Sequence, residues 1–384
     1  MKQENRSGLQ VKDFSFAGEL GSEGARIRQV GYNHFKIELA SPMHGEGCPN
    51  RLQFTIRQNA KGNQLRLDVS YNHTNFMRFD EYFCSWSYDK KTWQPIEWEK
   101  DFKERPEENT LLFAEFAEDT VYVGHQVPMS YEDVERVVAA LSQNTYVEII
   151  DIGQSLEGRN IHRIVISDGK AGAAEHTHYF AQQHPGEHNA QWRMMGMIEW
   201  LLSEEAGCFR KNNECHFVLT MSPDAPSRGW YRANTQFHDM NRTYLVSGSD
   251  SERQTHEAWL CQRDLEQIAG HSKLMTVWAM HTWGGKVEML MRESNDMESK
   301  YGSWTLLRDA IIAHDQESLC KPLYSVKERP AEIETSWGYG PFAQFGVTSV
   351  LCEGSGSIMT KEKNMLSGKT IIQGLADYFA KNAS

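Results

Sequence analysis

From Ile164 to the end of the chain, the hydrophobic pattern switches repeatedly between two periods, and this alternation narrows the possible folds more than any other feature. Short β-rich runs at Ile164–Ser167, Thr177–Ala181, Phe217–Met221, Leu274–Met280 and Val347–Cys352 read as strands. Between and after them, Asn189–Leu202, Glu257–Ala269, Trp304–His314 and Thr370–Ala380 carry apolar residues at helical spacing. Strands that alternate with helices predict an α/β domain with a mostly parallel or mixed sheet, covered on both faces.

The first third follows a different rule. Phe35–Leu39, Leu52–Arg57, Leu65–Tyr71, Tyr82–Tyr88, Trp93–Trp98, Leu111–Phe116 and Thr120–Val123 read as short strands separated by turn residues such as Lys61-Gly62-Asn63. With no long helix among them, they predict an all-β antiparallel sandwich. The pattern changes after Pro128. Ser130 and Asp133 mark a helix start, followed by a stripe of Val134, Val137, Val138 and Leu141. The expected division is an amino-terminal β-sandwich domain over 1–127 and an α/β domain over 128–384.

Charge narrows the function classes. Forty Lys and Arg against 52 Asp and Glu give a net charge of −12, which argues against nucleic acid or an anionic membrane as the main partner. No run approaches about 18 apolar residues, so no membrane span is expected. The opening MKQENRSGLQVKDF has no hydrophobic segment of signal-peptide type, and the seven Cys follow no disulfide or CxxC pattern. A cytoplasmic protein with reduced, mostly buried thiols is the expectation. Composition says nothing about the oligomeric state.

The chemistry concentrates at strand ends. After the strand Thr177–Ala181, His184 and Glu187 flank a Pro185-Gly186 turn that can aim an imidazole and a carboxylate at one point, as zinc requires. The spacing alone fits two solvent-facing residues equally well. His281 and Glu353, however, each close another strand, and in open α/β sheets sites gather beyond the carboxyl ends of strands. Two His and one Glu leave a tetrahedral zinc one free position, and a further Glu can take a proton. The loop after Phe217–Met221 holds Arg232, Asp239, Asn241 and Arg242; paired guanidiniums suit a substrate carboxylate or a developing oxyanion. Read alone, the same loop is a solvated surface segment.

The ordered set His184-Pro185-Gly186-Glu187, Arg232 with Asp239-Met240-Asn241-Arg242, His281 and Glu353 resembles the zinc carboxypeptidases, most nearly their cytosolic carboxypeptidase-like branch with its bacterial members. Ile152-Gly153-Gln154-Ser155-Leu156-Glu157-Gly158-Arg159 is similar to a segment near the start of that family's peptidase domain, and Asp119–Val123 with Tyr131–Val134 to the branch's domain junction. The resemblance implies a metallocarboxypeptidase acting on the carboxyl terminus of a peptide or protein, with one Zn²⁺ bound by His184, Glu187 and His281. It implies Glu353 as general base and acid, Arg232 as the group that polarises the scissile carbonyl, and Asn241 and Arg242 as the carboxylate anchor. Asp239 is implied as the partner that orients His184, Arg159 as a lining of an outer subsite, and Tyr339 or Tyr324 as a substrate cap.

Two departures stand out. Ser222-Pro223-Asp224-Ala225 replaces the family's Asn-Pro-Asp-Gly, and Ala279 stands where close relatives place an acid two residues before the third ligand. An amidohydrolase acting on acylated amino acids, and an inactive protein-binding module, are the competing readings; the presence of Glu353 speaks against the second. His176, His178 and His188 are expected in structural or solvated roles, Met194–Met197 as core filling, Cys352 as inert and Gly354–Ser357 as a loop. The stretch Ala331–Cys352, expected to border the specificity pocket, has no Lys or Arg but has Glu332 and Glu334. Poor removal of terminal glutamate is therefore expected, unless Arg228 or Arg292 reaches the pocket.

Overall fold

The computed structural model describes residues 8–40, 51–71, 84–96, 102–104, 109–169, 174–283, 289–293, 303–322, 334–356 and 360–382. Contacts divide the chain into two units: residues 1–130 with Ala225–Tyr231, and Tyr131–Asp224 with Arg232–Ser384.

In the first unit the strands are β1 (Phe14–Ser15), β2 (Arg26–Gly31), β3 (His34–Leu39), β4 (Phe54–Ile56), β5 (Leu65–Tyr71), β6 (Cys84–Ser87), β7 (Gln94–Pro95), β8 (Phe102–Glu104), β9 (Asn109–Phe113) and β10 (Val121–His125). They form two sheets, ordered β1-β4-β10-β6-β7 and β2-β3-β5-β9-β8. Period-2 alternation is plain in β3, where Phe35, Ile37 and Leu39 turn inward. These three share one core with Phe54 and Ile56 of the other sheet, and Phe14 meets Phe35 at 4.7 Å between ring centroids. The expected purely antiparallel arrangement needs one correction: β3 and β5 pair in parallel. Two adjacent strands joined by 25 intervening residues (40 to 64), which include β4, have room for the crossover that a parallel pair demands.

The second unit begins with α1 (Tyr131–Leu141), which buries Val134 and Val138. There follow β11 (Val147–Gln154), β12 (Asn160–Ile166), β13 (His176–Gln182), α2 (His188–Leu201), α3 (Gly207–Asn212), β14 (Asn213–Val218), α4 (His256–His271), β15 (Leu274–Trp283), β16 (Met289–Glu293), α5 (Trp304–His314), β17 (Cys320–Pro322), α6 (Gly340–Phe345), β18 (Thr348–Ser355) and α7 (Lys361–Asn382). Among the described residues the sheet runs β11-β12-β14-β13-β15-β18-β16-β17. Its centre, β14-β13-β15-β18, is parallel, while β11 and β12 on one side and β16 on the other enter antiparallel. This is a mixed α/β sheet.

Topology places the site. From β13 the chain crosses to β14 on one side and later returns to β15 on the other. The carboxyl end of β13 is thus a switch point, where diverging connections open a crevice. Of the strand ends that differ from expectation, those of β14, β15 and β18 bear on this crevice. β14 ends at Val218 instead of Met221, and Met221 N–H instead donates to the Gln182 carbonyl at 3.1 Å. β15 and β18 run past their expected ends, so His281 and Glu353 lie within strands and face each other in register.

Helix α2 follows the Pro-Gly turn and is buried over most of its surface. It packs on α7 through glycines: a Cβ on Gly196 would strike the Met365 carbonyl, and one on Gly368 would strike that of Arg193. No helix among the described residues is long and apolar enough to cross a membrane.

Candidate metal centre

The turn after β13 and the strand β15 bring His184, Glu187 and His281 together, all three buried. Glu187 is the N-cap of α2, yet its carboxylate makes no capping bond. Instead one carboxylate oxygen lies 2.9 Å from His184 Nδ1 and the other 2.9 Å from His281 Nδ1. The second oxygen also accepts from the Thr282 amide at 2.9 Å. The two ring nitrogens stand 3.0 Å apart.

His184 Nε2 lies 3.0 Å from Asp239 Oδ1, and a carboxylate there can only accept. This fixes the proton on Nε2 and leaves Nδ1 with a lone pair turned toward the other donors. Two imidazole nitrogens and a carboxylate, all within 4.8 Å of one another, match the donor set and spacing of zinc: ligands about 2.0–2.1 Å from a tetrahedral ion lie on the order of 3.3 Å apart. The residues present therefore fit a zinc ion. One partner is missing. His281 Nε2 is buried with no hydrogen-bond partner among the described residues, consistent with alanine at position 279.

The electrostatics follow from burial opposed by opposite charge. Burial pushes the Glu187 carboxyl up, but His184 and His281 prevail and hold it well below the usual carboxylate range. Burial and Arg232 push His184 down, yet Glu187 and Asp239 outweigh them and its net shift is upward. For His281, burial together with neighbouring His184 wins over Glu187, and the shift is downward. Asp239 is buried too, but His184 and Arg232 hold it well below its ordinary value.

Arg232 Nε donates to Asp239 Oδ2 at 2.6 Å, so Asp239 links the guanidinium to the His184 ring. Glu353, half-buried on β18, is the register partner of His281. Asn241 lies in a 3-10 turn capped by Asp239, which accepts from the Asn241 amide at 2.8 Å. Its side-chain oxygen accepts from Trp337 N–H at 2.9 Å, which assigns the amide orientation and leaves Nδ2 as the donating end. Arg242 is exposed and reaches back to the Asn241 carbonyl.

Other expected residues are placed differently. The Arg159 guanidinium is held by Glu157 at 2.7 Å and Asp224 at 2.8 Å. Asp224 also accepts from Ser155 Oγ and the Glu157 amide, so these contacts brace the Ser155–Arg159 turn. Tyr339 precedes α6, its ring 5.8 Å from that of Phe342. Tyr324 and Glu332 lie outside the described residues, as does the Arg292 side chain; Glu334 is exposed. Arg228 belongs to the first unit, 3.4 Å from Glu23. His178 is satisfied by Thr276 and Asn213 and is no ligand. The described Cys84, Cys215, Cys261, Cys320 and Cys352 are buried free thiols, and Cys208 is exposed.

Sequence reasoning missed Arg193 of α2. It is fully buried, and its guanidinium donates to the His281 carbonyl. A lone Arg in a helix reads as solvent-facing, and no sequence signal separates this one from its neighbours.

Against known proteins, residues 134–276 match the sequence model of the zinc carboxypeptidase family. Over these residues the chain is similar to a zinc carboxypeptidase domain. It is 28% identical over 174 residues to an uncharacterised protein of Zymomonas mobilis, covering 43% of this chain and 42% of that one. It is also 28% identical over 144 residues to cytosolic carboxypeptidase 2 of Danio rerio, covering 35% of this chain and 20% of that one. The chain thus spans less than half the length of either relative. A metallo-carboxypeptidase from Burkholderia cenocepacia has the same fold, with a TM-score of 0.79 at 16% identity over 96% of this chain and 98% of that one.

Proposed function

We propose that the protein is a zinc-dependent metallocarboxypeptidase that hydrolyses the carboxy-terminal peptide bond of a peptide or protein. The observation that carries this reading is the buried convergence of His184 Nδ1, His281 Nδ1 and the Glu187 carboxylate on one point. One zinc ion per chain, held by these three residues, supplies Lewis acidity toward a carbonyl oxygen and makes water acidic enough to deprotonate near neutral pH. Glu353 takes the proton of the attacking water and returns it to the leaving amine. Arg232, held at Asp239, donates to the scissile carbonyl as negative charge develops there. Asn241, through the Nδ2 that Trp337 leaves unoccupied, and Arg242 hold the terminal carboxylate. Asp239 keeps His184 in the tautomer that presents Nδ1.

Tyr339 is assigned the substrate cap. Arg159, paired with Glu157 and Asp224, braces its turn and is assigned the lining of an outer subsite. The proposed division remains a β-sandwich domain over 1–127 and a peptidase domain over 128–384, in a cytoplasmic protein.

A peptide panel with free and amidated carboxyl ends, run beside metal analysis, tests this reading. Near-stoichiometric zinc and cleavage restricted to free ends are expected. Among free ends, kcat/KM should be lower for terminal glutamate than for aromatic, aliphatic or basic residues. Equal cleavage of amidated peptides, or activity confined to acylated amino acids, would overturn it.

A further inference from the structure

Arg193 is an expensive group to bury. It lies on α2 at 0% exposure, yet among the described residues no carboxylate touches it. Its Nε and Nη1 have no hydrogen-bond partner there. Burial pushes its pKa down, while Cys352, Cys320, Glu353 and Glu187 favour its charged form. A core position with no task would be better filled by an apolar side chain of similar volume.

Its contacts show what the charge is spent on. Arg193 donates to the carbonyl of His281. The same peptide unit presents its other end, the Thr282 N–H, to Glu187 Oε2 at 2.9 Å. The peptide that follows the His281 side chain is therefore gripped at both ends, by the N-cap of α2 and by a residue six positions further along that helix. On the neighbouring strand the guanidinium occupies the space above Gly354: a Cβ there would collide with Nη1. Gly354 is the register partner of Thr282 and follows Glu353, the partner of His281. One turn earlier on α2, Asn189 Nδ2 donates to the Ser355 carbonyl at 3.2 Å, so the helix reaches β18 as well.

We propose that Arg193 is a positioning residue that sets the spacing between His281 on β15 and Glu353 on β18, acting through the His281–Thr282 peptide and the Glu353–Gly354 backbone. The inference rests on the metallopeptidase reading. Because β15 and β18 carry the groups from different parts of the sequence, a shared brace between them converts two strand ends into one fixed distance. Glycine at 354 is the space that the brace needs.

The test uses the full-length, zinc-loaded protein and four variants: Arg193→Met, Arg193→Lys, Gly354→Ala and Arg193→Met/Gly354→Ala. Arg210→Met serves as the control, because Arg210 is a buried arginine whose guanidinium bonds Asp168 and backbone carbonyls of Leu201 and Ser203. Zinc affinity is read by chelator competition, independently of turnover, and kcat and KM are measured separately. Arg193→Met should weaken zinc by about tenfold or more and lower kcat by a similar factor, with KM within about threefold. Arg193→Lys, whose ammonium can still donate to the His281 carbonyl, should fall between Arg193→Met and wild type. Gly354→Ala should resemble Arg193→Met, and the double variant should be no worse than Arg193→Met alone, since the collision is gone. Arg210→Met should lower Tm without moving zinc affinity or kcat.

If Arg193→Met cannot be purified, Arg193→Lys decides: a threefold or greater loss of zinc affinity supports the brace, and wild-type values overturn it. Wild-type zinc affinity and kcat in Arg193→Met would also overturn it, as would losses matched by Arg210→Met. A wild-type protein that binds no zinc and cleaves no peptide would sink the metallopeptidase reading itself, a result distinct from each of these.

Discussion

Both ends of the central parallel strands bury histidines, and they treat them in opposite ways. At the amino-terminal end, His178 Nδ1 lies 2.9 Å from Thr276 Oγ1 and Nε2 lies 3.0 Å from Asn213 Oδ1. Both partners are neutral, each ring nitrogen has one, and burial pulls the pKa down to about 3. At the carboxyl end, the Nδ1 atoms of His184 and His281 face each other and a shared carboxylate. Lone pairs converge there without enough protons to bridge them, an arrangement a cation relieves. Burial and residue type are the same at the two ends. What distinguishes a ligand from a structural histidine is the nature of the groups opposite its nitrogens.

Four substitutions put this contrast under strain. The largest effect short of the base itself is expected at Arg232, whose guanidinium is proposed to act as the oxyanion forms. Arg232→Ala should lower kcat by roughly 10²–10³, as single-turnover assays would show; a change confined to KM would move Arg232 from oxyanion stabilisation to ground-state binding. Asp239→Asn leaves the shape of the His184 partner but removes its charge, so zinc affinity should fall about 10–100-fold by chelator competition. Unchanged affinity would mean that His184 needs no partner to present Nδ1.

The smallest effect on function belongs to the other end of the sheet. His178→Gln should leave zinc content and kcat unaltered and act only on stability. Because the folded pKa lies near 3 and the unfolded one near 6.5, the unfolded chain takes up a proton that the folded one refuses. Wild-type stability from this group is complete above about pH 6.5 and is lost as pH falls toward 3. Comparing urea unfolding at about pH 7.5 and about pH 5, His178→Gln should remove on the order of 2 kcal/mol of the acid sensitivity. Loss of zinc in this variant would erase the distinction between the two ends.

How much of this was legible beforehand varies by residue. His184 and Glu187 could be paired because a Pro-Gly turn between a strand and a helix has few conformations. His281 and Glu353 could be tied to strand ends, but their register could not, since the three-residue extension of each strand, to Trp283 and to Ser355, is invisible to a hydrophobicity pattern. β2 escaped notice because all but one of its residues are exposed, leaving no alternation to read. β11 was missed because none of its residues is buried, and β14 was misplaced because Leu219 and Met221 are apolar and buried although they lie past the end of the strand, with Met221 N–H bonded to the Gln182 carbonyl. The pairing of Arg159 with Asp224 could not be foreseen, because the two lie 65 residues apart in sequence. Arg193 was wholly hidden, its meaning resting on a glycine and a carbonyl from distant strands.

The central claim is that the converging donors hold zinc and that Glu353 moves the proton beside them. Glu353→Gln, assayed for metal content and turnover on the same preparation, addresses both halves at once. The account expects near-stoichiometric zinc, as in the wild type, with kcat reduced by several orders of magnitude, because the carboxylate base is gone and the three donors are untouched. Full activity in Glu353→Gln, or a wild-type protein that turns over peptides without stoichiometric zinc, would contradict it.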